Sequence, residues 1–381
     1  MGRGLYSSPT SAPSRRSPRA SVDVVGSASY GRSMANGARV ASDAPAEARP
    51  GWSELAGNWR QILAQGNLAE GRSIDGVSRW LLITRACVFS MTITSALIGG
   101  LLAAASATSP HWGYFTLALI GLVLAHAANN MINDYFDTTG GVDDPNYTRA
   151  LYAPHPLLSG LISKGGLIAA IAAVNLADLV ILLVLTSAWG IAVLWFALAG
   201  LFISVFYVAP PLKLKHHGLG EPGVFIVWGP LMICGTYYVT AGSVPGWVWI
   251  ASLPYAITVT TVLIGKHVDK YEQDSARGIH TLPVLLGKET SILLNQALMI
   301  AFYPIVVLLV VTGNVGWGVL LVFAAVPRLV RVVRQYSEPK PEAPPPGFRI
   351  WPLWYVALAF HHNKLAGGLF VAGLFLNALL G

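Results

Sequence analysis

The acidic residues of this 381-residue chain are sparse and unevenly placed. Downstream of Trp80 there are twelve, and seven fall into two clusters: Asp134, Asp137, Asp143 and Asp144, then Asp269, Glu272 and Asp274. Asn133 and Asp137 stand four apart, so on a helix they share a face and can offer an amide oxygen and a carboxylate to one hard cation. The Gly140-Gly141 pair allows a turn that folds Asp143 back toward them. In the second cluster Asp269 and Glu272, three apart, share a face. Asp269 and Asp274 are separated by about 500° of winding and diverge by about 140° unless the helix unwinds between them. Two groups of like charge repel unless something bridges them; Mg²⁺ carrying a phosphorylated ligand is the ordinary bridge, and a diphosphate fits that part. Arg85, Lys213 and Lys270 could steady such a ligand, although the two lysines could equally be interfacial anchors that need none. The bland account, acids that merely solvate loop ends, weakens when both clusters fall on one side of the topology.

Three other groups are ambiguous. Asp178 and Lys364 are isolated charges inside apolar runs and could pair. His216-His217 and His361-His362 have no spacing that suits a metal site and read better as interfacial polar residues. Tyr237, Tyr238 and Tyr255 could shield a cation, or simply fill the core.

The elements that must position these residues are membrane helices. The chain is 54% hydrophobic and 11% charged, with a mean hydropathy of +0.56, against roughly 25% charged in soluble domains. From Trp80 onward apolar runs recur over 80–107, 111–136, 165–187, 189–208, 223–243, 247–270, 289–311, 314–333 and 351–380, each about long enough to cross a hydrocarbon layer. The fold class is therefore all-α, with about nine spanning helices; alternating strands of a barrel are absent. Cys87 and Cys234 sit in apolar runs and offer neither a disulfide framework nor a cysteine metal site. Lysine and arginine number 11 through Arg85, then 2, 2, 4 and 5 around the connections after helices two, four, six and eight, with only Lys364 elsewhere. That asymmetry puts the charged side, the N-terminus and both acid clusters in the cytoplasm, and it accounts for the net charge of +7 without nucleic acid. Residues 1–75 are rich in Ser, Pro, Arg and Gly and read as a disordered cytoplasmic extension, or alternatively as an organellar transit peptide. Within them 54–68 could form a surface amphipathic helix. Residues 76–381 form the membrane domain, in what reads as a bacterial cell membrane.

The run Asn133-Asp134-Tyr135-Phe136-Asp137, continuing TTGGVDD, resembles the first aspartate motif of the UbiA superfamily of intramembrane aromatic prenyltransferases, in its menaquinone-pathway form. Phe206-Tyr207 through Pro210-Pro211, Lys213, Gly218-Leu219-Gly220-Glu221 and Gly229-Pro230-Leu231 are similar to the family's stretch between helices four and five. Asp274, Gly278, Thr281 and Leu282 resemble the tail of its second motif, and Arg85 resembles the arginine opening its first helix. The resemblance implies a nine-helix bundle around a central cavity and Mg²⁺-dependent transfer of a polyprenyl group from a prenyl diphosphate to an aromatic acceptor, with 1,4-dihydroxy-2-naphthoate favoured. It also implies roles: Asp137, Asp269, Asp274 and Lys213 in catalysis; Arg85, Asn133, Arg149, Lys213, Lys270 and Tyr207 on the diphosphate; Asn133, Asp134, Asp137, Asp143, Asp269, Glu272 and Asp274 on the metal. Two departures stand out. Lys270 occupies the place four before Asp274 where the family has an aspartate, and His155 replaces an arginine before Pro156. The irregular second motif keeps alive a catalytically lapsed homologue acting as a membrane scaffold. A cation-coupled transporter would instead need mid-membrane carboxylates and inverted repeats.

Overall fold

The computed structural model describes residues 51–69, 71–107 and 109–380; the expected extension over 1–50 lies outside them. Among the described residues, helix is present ahead of the expected boundary at 75. Helix α1 (Trp52–Gln65) fulfils the amphipathic expectation, with Asn58 and Ile62 on its buried face. It is tied to α2 (Gly76–Ile83) because Asp75 caps α2 through the amides of Val77 and Ser78 and accepts from the Trp59 indole at 3.2 Å. A capping carboxylate at a helix start satisfies amides that have no partner within the helix.

Seven helices are long and apolar enough to cross a membrane: α3 (Ala86–Ser106), α4 (Trp112–Thr139), and, after the short α5 (Thr148–Tyr152), α6 (Lys164–Trp189), with α7 (Ile191–Phe206) the shorter apolar helix of 10–17 residues that follows it, then α8 (Gly220–Ala241) and α9 (Gly246–Asp269). Two short helices, α10 (Tyr271–Ala276) and α11 (Leu282–Leu286), lead to α12 (Lys288–Val311). A tightly wound 3₁₀ segment, α13 (Trp317–Ala325), runs into α14 (Val326–Ser337), and α15 (Trp354–Leu380) closes the chain. With α7 and the α13–α14 pair covering the remaining expected stretches, the expectation of about nine crossings is met only approximately. The protein is an all-helical integral membrane protein.

Each spanning element touches the next, α3 to α4, α6, α7, α8, α9, α12, α13 and α15, and α15 returns to α3. The bundle is thus a closed ring. Its outer wall is apolar because the surrounding solvent is lipid: on α6 the side chains of Leu176, Leu179, Val180, Leu183 and Val184 are exposed. Lipid gives no hydrophobic drive between helices, so close backbone contact substitutes for it. A Cβ built on Gly373 would lie 2.5 Å from the Gly318 carbonyl oxygen, and one on Gly99 would lie 2.4 Å from that of Ile233. At these crossings the glycines serve helix packing and leave no room for a ligand.

Asp269, expected among the metal ligands, holds the fold instead. Its carboxylate accepts from the amides of Trp354 at 3.0 Å and Val356 at 2.9 Å, the first turn of α15, and from Lys340 Nζ at 3.2 Å. It is a cap supplied from 85 residues away, and the favourable charge at a helix N-terminus adds to it. Asp269→Asn should lower stability by about 1–2 kcal/mol, read as a fall in the thermal unfolding midpoint in detergent, while leaving divalent-cation affinity unchanged; a tenfold loss of that affinity would return Asp269 to the metal set.

Candidate active site

The ring encloses a cavity of about 660 Å³, within the usual range for ligand sites. One end is polar. There α4 carries Asn129, Asn133 and Asp137 at successive turns, and Asn129 is fixed by its amide donating to Ser204 Oγ at 2.8 Å. Asn133 turns its amide nitrogen toward Asn129 at 3.4 Å, which leaves its buried Oδ1 without any donor. Asp137, one turn on, accepts Lys215 Nζ at 2.7 Å on both oxygens. The expected turn at Gly140-Gly141 forms, with Gly141 at φ 74°, and folds Asp143 back so that its amide meets the Asp137 carbonyl at 3.0 Å.

Asp134 leaves α4 along the neighbouring edge and is fully buried. Arg85 and Arg149 both grip it, Arg149 through Nε at 3.3 Å and Nη2 at 3.4 Å. Arg85 sits at φ 53°, a left-handed conformation that costs any residue with a Cβ and must be offset by packing; the break it makes between α2 and α3 aims the guanidinium at Asp134. His155 lies 3.4 Å from Asp134 and 3.1 Å from Asp143, and the three groups are close enough for one cation. The donors are already committed, however. His155 Nδ1 accepts the amides of Leu157 and Leu158 at 3.2 and 3.3 Å, which leaves the proton on Nε2 as a donor to Asp143. Asp134 thus reads as the anchor of two arginines, with His155 taking the third place around it.

The second cluster is drawn onto the first by a direct staple. The Tyr147 hydroxyl donates to Asp274 Oδ1 at 2.5 Å, Thr148 donates to Gln273 Oε1 through its amide at 2.9 Å and hydroxyl at 2.6 Å, and Arg277 reaches Asp144 at 2.6 Å. The helix does break at Lys270, whose φ of −106° and ψ of 6° separate α9 from α10. Asp274 consequently faces Tyr147 while Asp269 faces α15. Lys270, in the place of the family's aspartate, lies 3.2 Å from Asp274 Oδ1 and over the Tyr147 ring. Glu272 is turned outward to Lys288 at 2.6 Å and stands apart from the cluster. Lys213, at φ 42°, makes no ion pair among the described residues; its turn delivers Lys215 instead. Lys266, also unanticipated, lines the cavity within electrostatic range of Arg85, Arg149, Lys215 and Lys270. Tyr207 lines the same end. Asp178 and Lys364 both line the cavity but form no ion pair with each other among the described residues. The wall also includes Ala64, Gln65 and Gly66 from the end of α1.

The charges at this end balance locally. Burial would raise the Asp274 carboxyl, but Lys270, His267 and the Tyr147 hydrogen bond hold it below the ordinary carboxylate range. Burial and the Asp274 charge keep the Tyr147 phenol protonated well above its usual range. For Asp143 burial is outweighed by the His155 hydrogen bond, and for Asp144 by Arg277, so both are lowered as well. Burial, with Lys215 beside it, pushes the His216 imidazole down to about 4, so it is neutral at pH 7. Carboxyls depressed on folding stabilise the folded state above the unfolded value and lose that contribution as pH falls through the folded one. The unfolding midpoint should therefore hold between pH 7 and about 5 and fall below about pH 4, with the drop blunted in Tyr147→Phe; thermal scans across that range check it.

Residues 92–363 match the UbiA prenyltransferase family. A 2-carboxy-1,4-naphthoquinone phytyltransferase of Synechocystis is 26% identical over 264 residues, 68% of this chain and 82% of that protein. A 1,4-dihydroxy-2-naphthoate octaprenyltransferase of Bacillus subtilis is 25% identical over 225 residues, 59% of this chain and 71% of that protein. A UbiA homolog from Archaeoglobus fulgidus, solved with GPP and Mg²⁺, shares the fold with a TM-score of 0.53 at 16% identity, over 79% of this chain and 99% of that one. The chain belongs to the UbiA prenyltransferase family.

Proposed function

We propose that the protein transfers a polyprenyl group from a prenyl diphosphate to an aromatic quinone precursor of the 1,4-dihydroxy-2-naphthoate kind, at a divalent-metal site on the cytoplasmic side of a bacterial membrane. The observation that carries this reading is a cavity with largely apolar walls that includes Arg85, Asn133, Arg149 and Lys266 in its lining, with the Asp137–Lys215 pair one helix turn beyond Asn133. The names of the Synechocystis and B. subtilis relatives support the acceptor class. The bound GPP and Mg²⁺ of the A. fulgidus homolog support the donor and the metal.

The residues present suit a hard cation. Asn133 Oδ1 is buried without a donor, Asp137 has only a lysine for partner, and Asp274 lies across from them, stapled through Tyr147; all three offer oxygen. Mg²⁺ held by Asn133, Asp137 and Asp274 would neutralise charge on the diphosphate and ease its departure. Lys215, Lys266 and Lys270 bind the phosphate oxygens, aided by the guanidinium faces that Asp134 leaves free. The bond between the allylic carbon and oxygen breaks with its electron pair going to the diphosphate, and the allylic cation is protected because the walls exclude water. An acceptor ring carbon then bonds to it and the ring sheds its proton or carboxyl group, restoring aromaticity.

Asp137→Ala and Asn133→Ala should each cut acceptor-dependent diphosphate release by ~100-fold or more, measured with purified protein, geranylgeranyl diphosphate, Mg²⁺ and a panel of aromatic acceptors. Release that survives Asp137→Ala, or none from folded wild type with any donor and acceptor, would sink this reading in favour of a scaffold.

A further inference from the structure

The cavity has a second polar feature, away from the acid clusters. His361 and Lys364 of α15 line it, and with Arg328 of α14 they line a smaller hollow beside it. α15 begins at Trp354, so at 1.5 Å per residue these two side chains leave the helix about 10 and 15 Å along its length. That is near the middle of a hydrocarbon layer about 30 Å thick. The Lys364 ammonium lies 4.3 Å from the centre of the Phe360 ring and within electrostatic range of Cys87, two residues after Arg85. Among the described residues no carboxylate pairs with Arg328, His361 or Lys364, whereas Arg85, Arg149, Lys215 and Lys270 all have acid partners. A cation without a counter-charge at this depth is costly, and a ligand that brings one offsets the cost.

We propose that Lys364, backed by His361 and Arg328, binds the carboxylate of the aromatic acceptor, with the ring lying along Cys87, Val88 and Met91 toward the diphosphate end. The proposal rests on the prenyl-transfer reading and adds the acceptor's seat to it. Phospholipid headgroups stay at the bilayer surface, about 15 Å from this depth. The donor's diphosphate belongs with Asn133 and Asp137. The arm of the cavity walled by Leu182, Leu185, Val193 and Phe196 is apolar and offers a carboxylate no partner. That arm takes the prenyl tail.

The test is equilibrium binding of the fluorescent probe 1-hydroxy-2-naphthoate, against uncharged 1-naphthol, to wild type, Lys364→Met and Lys364→Arg in phosphatidylcholine nanodiscs, each variant first shown folded by thermal unfolding. Lys364→Met should weaken the naphthoate by about tenfold or more relative to 1-naphthol, and Lys364→Arg should restore most of it. Equal weakening of both probes, or of neither, overturns the proposal. So does competition by added phosphatidylglycerol that vanishes in Lys364→Met, which assigns the lysine to a lipid headgroup. Binding needs no turnover, so the two readings fail separately. Naphthoate held through Lys364 without any prenyl transfer refutes the activity, and transfer with Lys364 dispensable for the naphthoate refutes only the seat.

Discussion

Neutralising carboxylates away from water is the constraint on which the site depends. Asp134 is buried inside a membrane helix and is tolerable there only because Arg85 and Arg149 reach it from two different segments. Removing either would leave a charge whose desolvation is no longer offset. The left-handed break at Arg85, the short α5 that carries Arg149, and the loop bearing His155 all have this one side chain as their meeting point. With Asp134 so held, the adjacent edge of α4 is free to present Asn133 to the cavity, with Asp137 one turn beyond. Structure and chemistry are thus divided between neighbouring edges of one helix turn.

The same logic runs through the second motif. Where the family has a further acid, Lys270 stands against Asp274, and the Tyr147 hydroxyl supplies a second donor. The Lys270–Asp274 pair offsets its own charges before any ligand arrives. On the proposed function, an incoming diphosphate would draw Lys215 and Lys270 away from their acids and free the carboxylates. Exchange of partners costs less than creating new buried charge.

Much of this was legible in the sequence because its signals are local. The apolar runs gave the crossings, spacing of four put Asn133 and Asp137 on one face, and the glycine pair foretold the return of Asp143. What was missed depends on tertiary partners or on backbone that pattern does not encode. Asp269 looks like its acidic neighbours, yet its partner is the start of a helix 85 residues later. Lys213 and Lys215 differ only in which way a left-handed turn points them. Lys266 had a readable signal, since it lies one turn before Lys270 on the same helix face. α1 was legible as an amphipathic stretch, whereas its place in the cavity wall depends on tertiary contacts.

That first helix lies outside the stretch that matches the family, 92–363, yet its last residues, Ala64, Gln65 and Gly66, form part of the cavity wall, with Gly66 pressed against Cys87. In this chain, therefore, one side of the cavity is finished by sequence outside the family match. Two members with the same helices and the same aspartates can enclose differently shaped rooms, and divergence in what they accept can accumulate in a segment that no motif reports.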